Sequence, residues 1–223
     1  MSEIDEVAAN KLFRIKKNQL KMVRRRGYII EKQEQDIMLV DLQTFLDVYI
    51  PYDRQVKQSI RQVLSRPYVN EKGEKLIVYY ADEPATTKKL GVEALGHAII
   101  MCEKYNTRNL ILVSPVGLSS TASKEISKMV SYNIYFFLED EMTYDPTEHY
   151  FTPAHRALLP EEQRDFLKRN DLSIDQLPII LTSDMISRYY GFRVGQIIEI
   201  IRTNLHDTIV QKSLSYRAVK EDA

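Results

Sequence analysis

The chain has little of what catalysts and secreted proteins usually depend on. A single cysteine, Cys102, stands among 223 residues, which excludes an internal disulfide and a multi-cysteine zinc site. Its neighbours Ala98, Ile99 and Met101 are apolar, the pattern of a buried structural thiol. Net charge is zero, with 31 basic residues against 31 acidic ones. No global field therefore draws the chain to nucleic acid or membrane, and any such contact needs a local patch. No stretch approaches the roughly 18 consecutive apolar residues of a membrane span, and the opening MSEIDEVAAN has no apolar secretory core; a soluble, intracellular protein with no membrane contact is the expectation. The seven glycines are dispersed, and no phosphate-cradling GxGxxG or GxxxxGK(S/T) occurs. His97, His149, His155 and His206 lack the spacing of metal ligands. Ser114-Pro115-Val116-Gly117 is no GxSxG nucleophile elbow. These absences leave no catalytic residue, metal or cofactor to expect.

What is present reads as an ordinary globular protein, 44% apolar and 28% charged, long enough for one large domain or two small ones. Leu12, Ile15, Met22 and Val23 recur at helical spacing and predict a first helix from about Val7 to Arg26, ended by Gly27. Eight Lys or Arg residues and no acid lie between Val7 and Ile30. Lys17, Lys21, Arg24 and Arg25 share one face, which reads as a solvated face with cations suitably placed at a helix C-terminus. The stretch around Pro51 and Asp53 leads into a second amphipathic helix ending before Pro67. The rhythm then changes. Leu76–Tyr80, Asn109–Val113 and Asn133–Leu138 are short β-branched and aromatic runs, separated by helical patterns at Lys88–Tyr105 and Ser119–Val130. Strands alternating with such helices predict an α/β layer with a partly parallel sheet.

Between Met129 and His155 there is no Lys or Arg, while Glu139, Asp140, Glu141, Asp145 and Glu148 accumulate and Pro146 and Pro153 punctuate the stretch. That places a boundary near Pro146, giving domains 1–146 and 147–223. Beyond it come a short helix begun by Pro160 with Glu161 and Glu162 in its first turn, a helix capped by Ser183-Asp184, and strands at Gln196–Arg202 and Ser213–Val219. This second domain is α+β in character.

Two segments carry candidate sites. In SPVGLSSTASKEI a strand end and a Gly-containing turn bring Ser119, Ser120 and Thr121 to a helix start. Capping accounts for those hydroxyls, and the free N–H groups of such a terminus also suit a nucleic-acid phosphate. In LPIILTSDMISRYYGFRVGQIIEIIR, Leu177 to Arg202, the Tyr189-Tyr190 pair after Arg188 could stack on nucleic acid. An anchor of a docking surface is the stronger reading, since Tyr and Arg dominate interface hot spots.

This last block resembles one family: the fifth subunit shared by the eukaryotic nuclear RNA polymerases, whose C-terminal half also occurs alone in archaea. The resemblance extends over LFRIKKNQLKMVRRRGY, ADEPATTKKLGVEAL, RNLILVSPVGLSSTASKEI and EHYFTPAHRALLPEE, mainly by order and spacing. It implies an N-terminal jaw domain like a shortened nuclease fold, and a C-terminal assembly domain that packs on the largest subunit. The implied role is a non-catalytic, nuclear one: bracing the jaw that guides downstream duplex DNA. Carried over by residue, the DNA-facing turn falls on Leu118, Ser119, Ser120, Thr121 and Ala122. The docking surface falls on His155, Arg156, Arg188, Tyr189, Tyr190, Gly191, Arg193, Gly195 and Arg202. The chain departs from the family at Ser120 and Met185, each where a proline is usual, at Val194 in place of a basic residue, and at Ile179 in place of an arginine. Its loop after Arg202, TNLHDTIVQKSLS, is also longer. Such changes suit a divergent lineage or a version dedicated to one polymerase class. Two alternatives from other classes are a nuclease-fold DNA-processing enzyme and a free-standing DNA-binding module using the Lys11–Arg26 face. The first lacks a PD…(D/E)xK set: Glu71-Lys72-Gly73-Glu74-Lys75 has the wrong spacing, and Tyr144-Asp145-Pro146 reverses the order. Zero net charge opposes the second.

Overall fold

A computed structural model describes residues 6–39, 42–49, 59–83, 87–206 and 209–222. The chain divides into two compact units, Met1–Tyr144 and Asp145–Ala223.

The first unit opens with α1, Glu6–Arg25, whose Leu12, Ile15, Leu20, Met22 and Val23 are all buried. Gly27 stops it with a left-handed φ of 84°, a conformation that costs a side-chain-bearing residue about 1 kcal/mol or more. Next come β1 (Tyr28–Ile29), α2 (Lys32–Leu39), α3 (Leu42–Tyr49) and α4 (Ile60–Leu64). The expected helix before Pro67 is seen in α4, capped by Ser59, whose hydroxyl accepts from the Gln62 N–H at 3.3 Å; its start around Pro51 and Asp53 lies outside the described residues. A sheet follows: β2 (Arg66–Asn70), β3 (Lys75–Tyr80), α5 (Val92–Lys104), β4 (Asn109–Ser114), α6 (Ser120–Lys128) and β5 (Asn133–Leu138). Strand order is β1-β2-β3-β4-β5. The β1, β2 and β3 pairs are antiparallel, and β3, β4 and β5 run parallel, with α5 and α6 as their crossovers. This is the mixed α/β layering expected from the alternating runs. β2 escaped the sequence reading because Pro67 sits inside it, paired with Ile77. The proline is tolerated because β1 pairs only with Val69 and Asn70, leaving no ladder for a Pro67 N–H to join. Cys102 lies in the core between α5 and the sheet, with Ala94, Leu95, Ala98, Leu110 and Leu112; burial pushes its thiol up to about 11.

On the basic face of α1, Arg24 and Arg25 are exposed and Lys17 and Lys21 half-buried, but Lys16, which lies off that face, is fully buried. Its ammonium lies 3.0 Å from Glu34 of α2 and donates to the Tyr68 hydroxyl of β2 at 2.8 Å. The same Glu34 oxygen accepts from Tyr49 of α3 at 2.7 Å and from Tyr68 at 3.1 Å. A buried cation needs paired and hydrogen-bonded company, and three helices and a strand supply it here. Burial is the largest influence on Lys16 and lowers it to about 8, against the raising effect of Glu34. For Glu34, burial would raise the carboxyl, but Lys16 and the Tyr49 hydroxyl hold it below its ordinary value. The acid-rich stretch serves the same helix bundle: Lys11 contacts Asp140 at 2.7 Å, and Arg61 reaches Glu139 at 2.7 Å.

In the second unit the elements are β6 (Ala154–Ala157), α7 (Pro160–Asn170), β7 (Ile179–Leu181), α8 (Met185–Tyr190), β8 (Ile197–His206) and β9 (Ile209–Lys220). Strand order is β6-β8-β9-β7, antiparallel except for β7 beside β9. Pro160 and Glu161-Glu162 open α7 as expected, with Glu162 accepting the Leu159 N–H at 2.8 Å. Ile179–Leu181 forms a short strand, β7, where no element was expected. Of the TNLHDTIVQKSLS stretch, read as a loop, residues 203–206 and 209–215 belong to the β8–β9 ladder, Thr203 pairing with Lys212 and His206 with Ile209. The cap of α8 is Asp184, whose carboxylate accepts from the Ile186 and Ser187 N–H groups, while Ser183 turns its hydroxyl to Asp222. An apolar layer covers each sheet face. Ile180, Ile198, Ile200 and Val219 pack with Ile186 and Tyr190 of α8; Ile197 and Ala218 pack with Phe166 and Leu167 of α7.

Candidate DNA-facing turn and docking surface

The DNA-facing turn grows out of the parallel sheet. β4 ends at Ser114, which is buried and accepts the Val116 N–H at 3.2 Å. Leu118 then bridges Leu90, with the Leu90 N–H donating to the Gly117 carbonyl at 2.8 Å and the Ser119 N–H to the Leu90 carbonyl at 3.0 Å. Ser119 is the N-cap of α6, its hydroxyl accepting from the Ala122 N–H at 3.1 Å. Leu118 packs on the core and Ala122 is buried. Of the five candidate residues, Ser120 and Thr121 alone are exposed. Leu118, Ser119 and Ala122 hold the turn; Ser120 and Thr121 are the groups a ligand could reach.

The nine candidate docking residues do not form one surface. Pairing of β6 with β8 sets His155 opposite Ile200 and Arg156 opposite Glu199, so these neighbours point to opposite faces of the sheet. Arg156 is held within its own domain by Glu162 at 2.7 Å and Glu199 at 3.2 Å. Tyr189 is 3% exposed and donates its hydroxyl to Asp145 at 3.1 Å. Asp145 is also tied to Thr147, accepting from its N–H at 2.9 Å and its hydroxyl at 2.6 Å. Tyr189 thus pins α8 to the segment that begins the unit and is not itself presented to a partner. Tyr190 stacks on Phe192, with centroids 5.3 Å apart and planes at 11°. Arg188 donates to the Ser183 carbonyl at 3.0 Å. Gly191 and Gly195 supply the left-handed φ values of 70° and 84° that close α8 and turn the chain into β8. Arg193 and Arg202 are exposed. Ile179 and Val194, two of the positions where the chain departs from the family pattern, are exposed apolar residues at 47% and 53%.

His155 and Arg202 do share a face. Arg202 is two residues beyond Ile200, the partner of His155, and Arg217 joins them opposite Ile198. Sequence reasoning missed Arg217; the signal was strand alternation through Tyr216-Arg217-Ala218-Val219. Burial holds His155 below its ordinary value, with Arg202 and Arg217 acting in the same direction against the Pro153 carbonyl and Asp184.

The other candidate chemistries find their acids otherwise engaged. Glu71-Lys72-Gly73-Glu74 forms the β2–β3 turn, with Asn70 accepting from the Lys72 and Glu74 N–H groups and Gly73 at φ 78°. Among the described residues no group of three or more His, Cys, Asp or Glu could hold a metal ion, and no helix is long and apolar enough to cross a membrane.

Two family models match the chain in order: "RNA polymerase Rpb5, N-terminal domain" over residues 6–95 and "RNA polymerase Rpb5, C-terminal domain" over residues 144–219. Among known proteins, the DNA-directed RNA polymerases I, II, and III subunit RPABC1 of Caenorhabditis elegans is 30% identical over 201 residues, 89% of this chain and 92% of the relative. Its Caenorhabditis briggsae counterpart is 29% identical over the same lengths. The DNA-directed RNA polymerase subunit 5-like protein 1 of Arabidopsis thaliana is 26% identical over 209 residues, 92% of this chain and 94% of the relative.

Proposed function

The chain belongs to the Rpb5 family of RNA polymerase subunits, and from that premise we propose what its two domains do there. It is a non-catalytic subunit of DNA-directed RNA polymerase, with other polymerase subunits as its partners. Residues 1–146 act as the jaw domain, a shortened nuclease-like layer that braces the lower jaw beside downstream duplex DNA, with Ser120 and Thr121 toward the DNA backbone. Residues 147–223 act as the assembly domain and dock on the largest subunit, in the nucleus. The observation that carries this reading is the 30% identity to a shared polymerase subunit over 89% of the chain. The exposed hydroxyls at the start of α6 support the DNA-facing part, since free N–H groups there favour a phosphate. The exposed Arg193 and Arg202 support the docking part.

Affinity purification of the tagged chain should recover the two largest polymerase subunits. Recovery of the chain alone, or with unrelated proteins, overturns the assignment to the complex. Within assembled polymerase, Ser120→Glu with Thr121→Glu should shorten the lifetime of elongation complexes in elevated salt without reducing assembly. An unchanged lifetime removes the turn from the DNA path.

A further inference from the structure

Beside the two helices, the faces of the C-terminal sheet treat their cations differently. Near α7, Arg156 is paired with Glu162 and Glu199 and Lys220 with Asp175 at 2.9 Å, whereas Lys212, farther out on that face, has no ion partner among the described residues. On the α8 side, among the described residues, no carboxylate pairs with Arg202 or Arg217; Arg217 reaches only the Ile179 carbonyl, at 3.3 Å. Asp184, the acid that acts on His155, accepts from the Ile186 and Ser187 N–H groups of α8 on Oδ1. His155 turns Nδ1 to the Pro153 carbonyl at 2.8 Å. A carbonyl can only accept, so Nδ1 carries the proton there and Nε2 of the neutral ring accepts a hydrogen bond.

We infer that this face, formed by His155, Arg202 and Arg217, receives an extended acidic segment of another polymerase subunit. The inference rests on the docking reading above and adds the chemistry of the partner. Arg202 lies opposite Ser213, four residues before Arg217 on β9, so the two guanidinium stems are separated by about 13 Å along the strand. One ion cannot bridge that span, whereas an extended peptide with carboxylates about four residues apart matches it. Each Arg fork meets a carboxylate with two parallel N–H donors. Nε2 of His155, on β6 across β8 from Arg217, is left to accept a further donor of the segment. Nucleic acid fits less well. Two guanidiniums make few phosphate contacts, and from Asp145 onward acidic residues outnumber basic ones, so the domain's own field opposes a polyanion.

The test uses polymerase purified through the tagged full-length chain carrying Arg202→Lys and Arg217→Lys, treated with a carbodiimide that joins amines to carboxylates. The expected result is a cross-link from position 202 or 217 to a segment of another subunit holding two acids about four residues apart in extended sequence. Charge reversal, Arg202→Glu with Arg217→Glu, should cut recovery of polymerase roughly tenfold, while Lys220→Glu on the other face leaves it unchanged. Far-UV circular dichroism and the neutral pair Arg202→Gln with Arg217→Gln, expected to lie between wild type and reversal, separate lost docking from lost folding. Recovery of polymerase with no such cross-link, or with full assembly of the reversal variant, overturns the inference and leaves the docking reading standing. Photo-cross-linking of the same two positions to DNA instead of protein also overturns it. If the wild-type chain recovers no polymerase, it is the docking reading that falls.

Discussion

Lys16 and Arg202 show two fates of a cation in one chain. Lys16 and its partner Glu34 lie 3.0 Å apart with side chains 0% and 2% exposed, and two tyrosine hydroxyls complete the arrangement. Arg202 is exposed, on a sheet face where, among the described residues, no carboxylate pairs with it or with Arg217. A desolvated charge is tolerable only when its partners are built in, so the first arrangement belongs to folding and closes on itself. An exposed charge costs little to leave open, so the second can wait for a partner. Burial together with internal pairing thus marks the charge that holds the fold, and on the proposed docking reading the exposed charge serves assembly.

The largest effect should come from breaking the closed arrangement. Glu34→Ala leaves the Lys16 ammonium buried without its anion, and such losses cost about 3–5 kcal/mol. Lys16→Met with Glu34→Leu removes both charges and should be less damaging than Glu34→Ala alone, by about 1 kcal/mol or more of coupling. Urea unfolding followed by far-UV circular dichroism measures both. A loss under about 1 kcal/mol for Glu34→Ala would mean that the pair is solvated and that the contrast with Arg202 is false.

The same arrangement sets a pH dependence. Lys16 titrates at about 8 in the folded protein against 10.5 as its ordinary value. Below 8 both states hold the proton, and the folded state carries the cost of burying it. Between 8 and 10.5 the folded state releases the proton first, so stability should rise with pH, by at most about 1.4 kcal/mol per pH unit. Tyr49, Tyr68 and Tyr80 oppose this at the upper end, because burial raises each above its ordinary value of 10.0. Their contribution is complete below pH 10 and is lost above it as the unfolded chain ionises. A maximum between pH 9 and 10 is therefore expected in urea midpoints. Lys16→Met should remove the rise and keep the fall.

Much of the architecture was legible because it is periodic. The runs at Leu76, Asn109 and Asn133 and the helical spacings between them gave the parallel half of the first sheet. The closed arrangement was not legible, since nothing local distinguishes Lys16 from Lys17. Only packing of α1 against α2, α3 and β2 decides which of two adjacent lysines enters the core. For the same reason the internal ties of the candidate docking residues were not legible. Tyr189 and Arg156 have the residue types of an interface, yet Asp145 claims the first and Glu162 and Glu199 the second. Arg217 went unnoticed because its role depends on strand register, which brings residues 155, 202 and 217 to one face across three strands.

Tyr189 offers a smaller test of the same distinction. Tyr189→Phe deletes its hydrogen bond to Asp145 and should cost about 1–2 kcal/mol, seen as earlier melting of the C-terminal unit. Recovery of polymerase well below that melting transition should not change. A loss of assembly with no loss of stability would move Tyr189 from the fold to the interface.

The smallest expected effect carries the comparison to its limit. Arg202→Ala removes no internal ion pair, so the melting temperature of the isolated chain should move by no more than about 1 °C. Arg156→Ala breaks contacts to Glu162 and Glu199 and should lower it measurably, by an amount that shrinks as salt is added. In assembly the ranking should invert, with Arg202→Ala weakening recovery of polymerase more than Arg156→Ala does. If the two variants rank the same way in melting and in assembly, internal pairing does not separate the two uses of charge. The patch around Arg202 and Arg217 would then be ordinary solvated surface.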